Sequence, residues 1–355
     1  MGKLRVAVVF GGRSGEHEVS LMSAESVMNA IDRSKYEVVP IGITKDGRWI
    51  IGGDPLRALR EGEVDAAERW PAALPELADV FFPVLHGPYG EDGTIQGLFD
   101  LAGVPYVGSG VAASAVGMDK AFMKMAFRQA GLPVMDYLVI TEAAWAAREA
   151  ELRERIEQEL GYPCFVKPAN LGSSVGVNRV DEPEALDAAV AEAFRYDRKI
   201  LVERAALGCR EVEVSVLGND EPEASIPGEI VPSREFYDYT AKYLDDASQL
   251  IIPARIGRET EETVRRMAVA AFQAVDAAGL ARVDFFVHKE TEQVWVNEIN
   301  TMPGFTRISM YPKLWEATGL PYPELIDRLI QLGLERHQRR VRREQAAAKG
   351  PLSGR

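Results

Sequence analysis

The chain has 355 residues, 46% apolar and 27% charged, with a formal net charge of −13. That composition fits a globular protein of two or three domains and excludes a collagen-like or wholly disordered chain. Cys164 and Cys209 form no CxxC pattern, so a disulfide scaffold or cysteine-built zinc site is not expected; no apolar run is long enough for a membrane span, and the acidic body argues against nucleic-acid binding.

In chain order, Leu4–Phe10 is β-rich and predicts a buried parallel strand. It is too short and too interrupted by glycine for a signal peptide, which predicts a cytoplasmic protein. The strand enters the glycine-rich turn FGGRSGEHEVS, after which Val19, Met22, Val27 and Ile31 fit one side of a helix. Val38–Ile43 and Val80–Val84 predict further strands, and Ile95–Leu101 and Ala112–Met118 predict helices. This alternation implies a doubly wound, Rossmann-like α/β domain over residues 1–108. Within it, residues 54–78 have the weakest pattern and read as a surface excursion.

Residues 109–208 read as an α+β domain. A helix over 119–131 is followed by strand Tyr137–Ile140, a long helix Glu142–Leu160, strand Cys164–Lys167, a Gly/Ser loop, strand Val177–Val180, helix Pro183–Phe194 and strand Ile200–Glu203. A third domain, 209–335, carries strands near Glu211–Leu217 and Glu229–Val231, a polar aromatic loop Phe236–Asp246, and a helix Glu259–Ala278. Strands Ala281–His288 and Val294–Asn300 and helices from Tyr311 onward complete it. Residues 336–355 hold seven Lys/Arg and one Glu. They read as a basic, disordered tail that continues a helix and then frays.

The most informative segment is ARVDFFVH…VWVNEIN. Arg282 and Asp284 are two apart on one strand, as are Glu298 and Asn300 on the next, so each pair shares a strand face. A connecting loop of three or five residues would put both pairs on the same face. A three-residue loop sets Asp284 opposite Glu298 and Arg282 opposite Asn300. Two carboxylates and an amide oxygen converging there suit Mg²⁺ or another hard cation, and Arg282 beside them suits a developing oxyanion or phosphoryl oxygen. A solvent-facing charged hairpin is the alternative. Against it, Phe285, Val287, Val294 and Val296 alternate with the charged positions, so the hairpin is expected to be covered.

In FVKPANLGSSVGV, Lys167 ends a strand and Asn170–Gly176 form a loop able to offer N–H groups and hydroxyls to phosphate. It is not a Walker A loop. Gly172–Gly176 also matches GxSxG, but a nucleophile elbow needs a strand directly before Ser174 and a helix directly after, and neither is predicted. The N-terminal GGRSGEHEVS lacks GxGxxG, which argues against a dinucleotide site. Ser14, Glu16 and His17 nonetheless fall at the carboxyl end of the first strand, and His86 falls after Val80–Leu85, at the edge where open α/β sheets bind ligands. Lys242 and Tyr243 lie in the aromatic loop, which reads either as a packed Tyr-rich loop or as a mobile lid bringing a lysine to the site.

Taken together, GGRSGEHEVSLMSAESV, LHGPYGEDGTIQGLFDLAGVPYVGSGVAASAVGMDK, FVKPANLGSSVGV, FYDYTAKY, ARVDFF and NEINTMPGFT resemble, in order and over about residues 4–335, the D-alanine–D-alanine ligases of the ATP-grasp superfamily. The resemblance implies an ATP-grasp fold behind a Rossmann-like N-terminal domain, with ATP between the central and C-terminal domains. It implies Lys120, Lys167 and Ser173 at the phosphates, with Lys242 reaching them from the lid; Glu203 and the Arg204–Ala206 backbone at adenine; and Glu211 at the ribose. Asp284, Glu298 and Asn300 would hold two Mg²⁺ or Mn²⁺ ions, and a monovalent cation is a further candidate. Glu16, with His86 nearby, would bind the ammonium of the first D-alanine, and Ser309 the carboxylate of the second. Ser173 and Tyr243 would link to Glu16, and Arg282 and the Gly304 N–H would form the oxyanion site. The implied reaction is ligation of two D-alanines through an acylphosphate for peptidoglycan synthesis, by a cytoplasmic homodimer. The presence of Tyr243 favours an amide over an ester product. The alternatives are a D-alanine–D-lactate or D-alanine–D-serine ligase and, from other classes, a non-catalytic nucleotide or metal sensor on the same fold or a serine hydrolase.

Overall fold

The computed structural model describes residues 2–62, 64, 73–231, 249–306 and 308–348. Its described strands form three sheets that follow one another along the chain. The first has the order β3-β2-β1-β4, built from β1 (Leu4–Gly11), β2 (Tyr36–Ile43), β3 (Trp49–Ile51) and β4 (Val80–Pro83). β2, β1 and β4 are parallel, and β3 adds an antiparallel edge. Val6 to Phe10 of β1 are wholly buried on both faces, as a central parallel strand requires.

The helix after β1, His17–Ala30, turns Val19, Val27 and Ile31 inward, but Met22 is 36% exposed. Ser20 and Ser23 are fully buried in its place. An apolar reading passes over this stripe because two of its members are hydroxyls. Both have partners: Ser20 Oγ donates to the Val84 carbonyl (2.5 Å) and Ser23 Oγ lies 2.9 Å from His86 Nε2.

Residues 54–78 are not a plain excursion. Helix Pro55–Glu61 is capped by the Asp54 side chain, and a short helix spans Leu74–Leu77; residues 63 and 65–72 lie outside the described residues.

The second sheet is antiparallel, with order β5-β8-β6-β7: β5 (Tyr137–Thr141), β6 (Cys164–Pro168), β7 (Asn178–Val180) and β8 (Lys199–Arg204). The helix expected over Glu142–Leu160 runs to Arg155, leaves helical geometry at Arg148, and ends in a wider turn, Ile156–Leu160. Together with helix Leu186–Phe194 it covers one face through Leu152, Ile156, Leu160, Leu186 and Val190.

The third sheet has order β12-β11-β9-β13-β14 with β10 on β9: β9 (Cys209–Gly218), β10 (Glu223–Ala224), β11 (Gly228–Val231), β12 (Gln249–Ile251), β13 (Gly279–His288) and β14 (Val294–Asn300). Helix Arg258–Ala274 packs Val264, Ala268 and Phe272 against Val214, Val283 and Val296 on one face. The period-2 alternation sends Glu211, Glu213, Arg282 and Asp284 to the other face.

The terminal helices cross back to the first sheet. Tyr311, Trp315, Leu325, Leu329 and Ile330 join Val6, Val8, Phe10 and Phe82 in one core. The last helix, Tyr322–Ala348, corrects the expectation of a disordered tail over 336–355. Residues 336–348 are helical and docked: Arg336 stacks 4.3 Å over Tyr106, Arg340 pairs with Asp100, and Arg339 pairs with Asp220. The basic stripe meets the acidic body, and helix follows from that complementarity. Residues 349–355 lie outside the described residues. No helix among the described residues is long and apolar enough to cross a membrane.

Candidate active site

The loops leaving β1 and β4 bring Glu16 and His86 together as the strand order requires. Ser14 Oγ donates to the His86 carbonyl (2.5 Å) and accepts from the Glu16 N–H (3.2 Å). Glu16 begins helix His17–Ala30 and is buried. Gly87 sits at φ 76°, where a Cβ would lie 2.6 Å from Glu16 Oε2, so a glycine is required there on both counts. From the second sheet, Ser173 Oγ donates to Glu16 Oε1.

His86 is buried behind this point, between Ser23, the Met302 carbonyl (3.1 Å) and Glu91 (3.8 Å). Burial disfavours its charged form, but the Glu91 carboxylate, with Glu16 further off, outweighs that and raises its pKa above the usual value. His17 turns away, its Nδ1 lying 2.7 Å from the Gly12 carbonyl.

A second cluster lies between the second and third sheets. Glu203, 1% exposed, pairs through Oε2 with Lys167 (2.5 Å) and through Oε1 with Lys124. Burial alone would raise the Glu203 carboxyl pKa; the two ammonium groups reverse that and hold it below the usual range. For Lys167, burial is outweighed by Glu203 and its pKa is raised. Lys120, one turn before Lys124 on helix Lys120–Gln129, donates to the Leu171 carbonyl (2.5 Å) at the root of the Gly/Ser loop.

The β13–β14 hairpin sets Arg282 against Asn300 and Asp284 against Glu298, as the face argument expects, but by another route. Next to the turn, Val287 pairs with Val294 and Phe285 with Val296. Continued unchanged, that register would set Asp284 against Asn297 and turn Glu298 to the covered face. A β-bulge between Asp284 and Phe285 absorbs one extra residue and restores the shared face. Arg282 forks Asp284 at 2.7 and 2.8 Å and lies 3.3 Å from Glu213. The Asn300 side-chain oxygen accepts from the Met302 N–H (2.9 Å).

Among the described residues no three His, Cys, Asp or Glu side chains form a metal cluster by themselves. Two carboxylates and one amide fit a Mg²⁺ ion that takes the rest of its shell from water and phosphate oxygens.

Two cavities meet here. A larger one, about 600 Å³, has Lys167, Glu203, Arg204, Ala206, Glu211 and Asp284 in its wall. A smaller one, about 100 Å³, has Glu16, Arg282, Asn300, Gly304 and Ser309. Lys120, Ser173, Glu213 and Glu298 line both. Ser309 stands at the N-terminus of helix Met310–Thr318, where unpaired N–H groups favour an anion.

His86 is in neither wall and abuts the smaller cavity through Glu91, which lines it. Lys242 and Tyr243, like the whole of the expected lid loop Phe236–Asp246, lie outside the described residues. The GxSxG elbow fails as expected: Ser174 is separated from β6 by a loop, strand β7 follows, and His288 Nδ1 accepts from the N–H groups of its own turn.

Residue-level reading missed Glu91, Glu213 and Lys124. Glu213 was signalled by its i+2 spacing from Glu211 in REVEVSV, and Glu91 by its place in the turn after His86.

The D-ala D-ala ligase N-terminus family matches residues 5–109, and the D-ala D-ala ligase C-terminus family matches residues 126–331. The chain is 52% identical to the D-alanine--D-alanine ligase of Heliobacterium modesticaldum, over 96% of this chain and 98% of that one. It is likewise 52% identical to that of Geobacillus kaustophilus, over 95% and 96%. Among solved structures, the D-alanine-D-alanine ligase from Coxiella burnetii superposes with a TM-score of 0.85 at 37% identity, covering 99% of this chain and 100% of that one. The VanG D-Ala:D-Ser ligase from Enterococcus faecalis gives 0.82 at 37% identity, over 94% and 100%. The chain therefore belongs to the D-alanine–D-alanine ligase family and has the ATP-grasp fold.

Proposed function

We propose, from that family membership, that this chain joins two D-alanine molecules into D-alanyl-D-alanine with cleavage of ATP to ADP and phosphate, in the cytoplasm, for peptidoglycan synthesis. The observation that carries the reading is the pair of cavities with a common wall at Lys120, Ser173 and Glu298. A nucleotide in the larger and an amino acid in the smaller would meet there, where a phosphoryl group has to be transferred.

The residue roles are those the family resemblance implies, and the chemistry at these positions suits them. Lys120 and Lys167 face the phosphates, with Lys242 as the lid residue; Arg204–Ala206 and Glu203 line the adenine end, and Glu211 the ribose. Asp284, Glu298 and Asn300 would hold two Mg²⁺ or Mn²⁺ ions. Such ions, when bound, neutralise charge on the transferring phosphoryl group. Glu16, oriented by Ser173 and given Tyr243 as a further partner by the family resemblance, takes the ammonium of the first D-alanine. The carboxylate of that first D-alanine attacks the γ-phosphorus, the bond to the β-phosphate oxygen breaks, and ADP departs to leave a D-alanyl phosphate.

Ser309 and the helix N-terminus behind it hold the carboxylate of the second D-alanine. Its amine must be neutral to attack the acyl carbon. Arg282 and the Gly304 N–H receive the oxyanion, and phosphate departs. We take the working units as residues 1–108, 109–208 and 209–335, paired as a homodimer.

Phosphate release from ATP and Mg²⁺ tests the reading, with D-alanine, L-alanine, D-alanine plus D-lactate, D-alanine plus D-serine, or no amino acid, and products identified by mass. D-alanine-dependent release yielding the dipeptide is expected. No dependence on D-alanine, in protein that still binds ATP, would overturn the substrate.

A further inference from the structure

Lys124 is the most enclosed ammonium group among the described residues, and none of the roles above uses it. Its side chain is 1% exposed, and its Nζ makes two contacts that lie far apart in sequence. It pairs with Glu203 Oε1 on β8, and it donates to the Asn297 carbonyl on β14 at 3.0 Å. Asn297 is the residue that the hairpin register would otherwise set against Asp284, and it directly precedes Glu298.

The same helix holds the strand on the other side of Glu298 too: Met123 Sδ accepts from the Ile299 N–H at 3.4 Å. One helical turn therefore grips the irregular stretch of β14 both before and after the carboxylate. A buried ammonium is costly to keep charged unless a carboxylate faces it, and burial does push the Lys124 pKa down. Packing alone would be served more cheaply by leucine or methionine.

We propose that Lys124 is a positioning residue that sets two parts of the reaction site at once. Through Asn297 it fixes the bulge that keeps Glu298 on the face of Asp284. Through Glu203 Oε1 it shares the neutralisation of that carboxylate, so that Lys167 is not its sole counter-charge and stays available to a nucleotide phosphate. The inference rests on the proposed ligase function and deepens it by tying the carboxylate pair and the nucleotide cavity to one side chain.

The test uses Lys124→Met and Lys124→Gln in the full chain. For each, kcat, the ATP and D-alanine KM and the Mg²⁺ half-saturation are measured, together with ADP affinity by calorimetry with and without Mg²⁺. Lys124→Met should raise the Mg²⁺ half-saturation tenfold or more, raise the ATP KM, weaken ADP binding in metal-free buffer, and leave the D-alanine KM within about twofold. Lys124→Gln keeps a donor for the Asn297 carbonyl but no charge. It should recover most of the Mg²⁺ response while its ATP KM and ADP affinity stay impaired.

A folded Lys124→Met with wild-type Mg²⁺ half-saturation and ADP affinity overturns the proposal. So does a uniform loss of all parameters that Lys124→Gln does not split. If Lys124→Met does not accumulate as folded protein, Lys124→Gln decides alone, and wild-type ATP KM and ADP affinity in it refute the inference. Failure of the wild-type chain to form D-alanyl-D-alanine would be a failure of the functional reading instead, and would leave the metal-free ADP comparison intact.

Discussion

Arg282→Ala separates the two duties of one guanidinium. Arg282 neutralises Asp284 at 2.7 and 2.8 Å and Glu213 at 3.3 Å, with the three side chains only 16%, 14% and 9% exposed. Removing one member of a buried pair costs about 3–5 kcal/mol, and the residual exposure here places the loss near the lower bound, roughly 3 kcal/mol. A divalent cation at Asp284 and Glu298 would replace the missing charge, and a ligand at about 100 times its Kd stabilises a fold by about 2.7 kcal/mol. The melting point of the variant should thus fall well below wild type without Mg²⁺ and recover most of the gap with it. Turnover should not recover, because a lost oxyanion donor costs about 10²–10³ in kcat whatever the stability. The assays are thermal unfolding at two Mg²⁺ concentrations and steady-state phosphate release. Near-normal kcat in folded Arg282→Ala would remove it from the oxyanion site, and a stability gap unmoved by Mg²⁺ would refute the argument that a cation and Arg282 serve the same carboxylate.

Ser173→Ala removes the donor that orients Glu16; a hydrogen bond to a charged group is worth about 1.5–3 kcal/mol, so kcat/KM for D-alanine should fall roughly 10–100-fold, and an unchanged value would detach Ser173 from substrate orientation. His86, whose pKa is raised above 6.5 chiefly because Glu91 outweighs the effect of burial, contributes stability that is complete below that unfolded value and is lost as pH rises through the folded one. The melting-point advantage of wild type over His86→Gln should therefore shrink on going from about pH 6 to about pH 9, and a constant difference would show that His86 does not titrate in the native state. Arg339→Gln with Arg340→Gln breaks an exposed pair with Asp220 and a half-buried pair with Asp100, whose side chains are 33% and 32% exposed. A change of no more than about 1 kcal/mol per pair and unaltered kinetics are expected, and a large loss of activity would mean that the terminal helix bears on the site.

The sequence made the parallel strands of the first sheet legible because they are mainly apolar runs, with β4 and Val6 to Phe10 of β1 buried on both faces, and it made the carboxylate pairs legible because i and i+2 share a face. What it hid has physical causes. Three short strands, Trp49–Ile51, Glu223–Ala224 and Gln249–Ile251, lie outside the central strands and owe their pairing to neighbours rather than to their own pattern. Met22 took the place of Ser20 and Ser23 in the helix stripe because burial of a hydroxyl depends on partners that only the fold supplies. The bulge did leave a trace, in that the apolar positions of VWVNEIN fall at Val294, Val296 and then Ile299, a step of three where an unbroken strand steps by two. The roles of Ser309 and Gly304 rest on the family resemblance, since one serine and one glycine carry no pattern of their own.

The Gly/Ser loop shows how the units act on one another. Ser173 and Ser174 have φ values of 52° and 59°, a conformation that costs a residue with a side chain about 1–3 kcal/mol unless its surroundings hold it. The described contact that holds Ser173 comes from outside its own sheet, from Glu16 at the start of the first helix of the first unit. Gly172 makes that approach possible, since a Cβ there would already lie 3.2 Å from Glu16 Oε2. Strain in a loop that lines both cavities is therefore balanced by the carboxylate proposed to receive the first amino acid. Whatever binds at Glu16 competes for the same oxygens, so it also bears on the conformation of the loop beside the proposed phosphates. On the proposed roles, amino-acid binding and readiness for phosphoryl transfer would be coupled through these two side chains, without any need for a longer pathway.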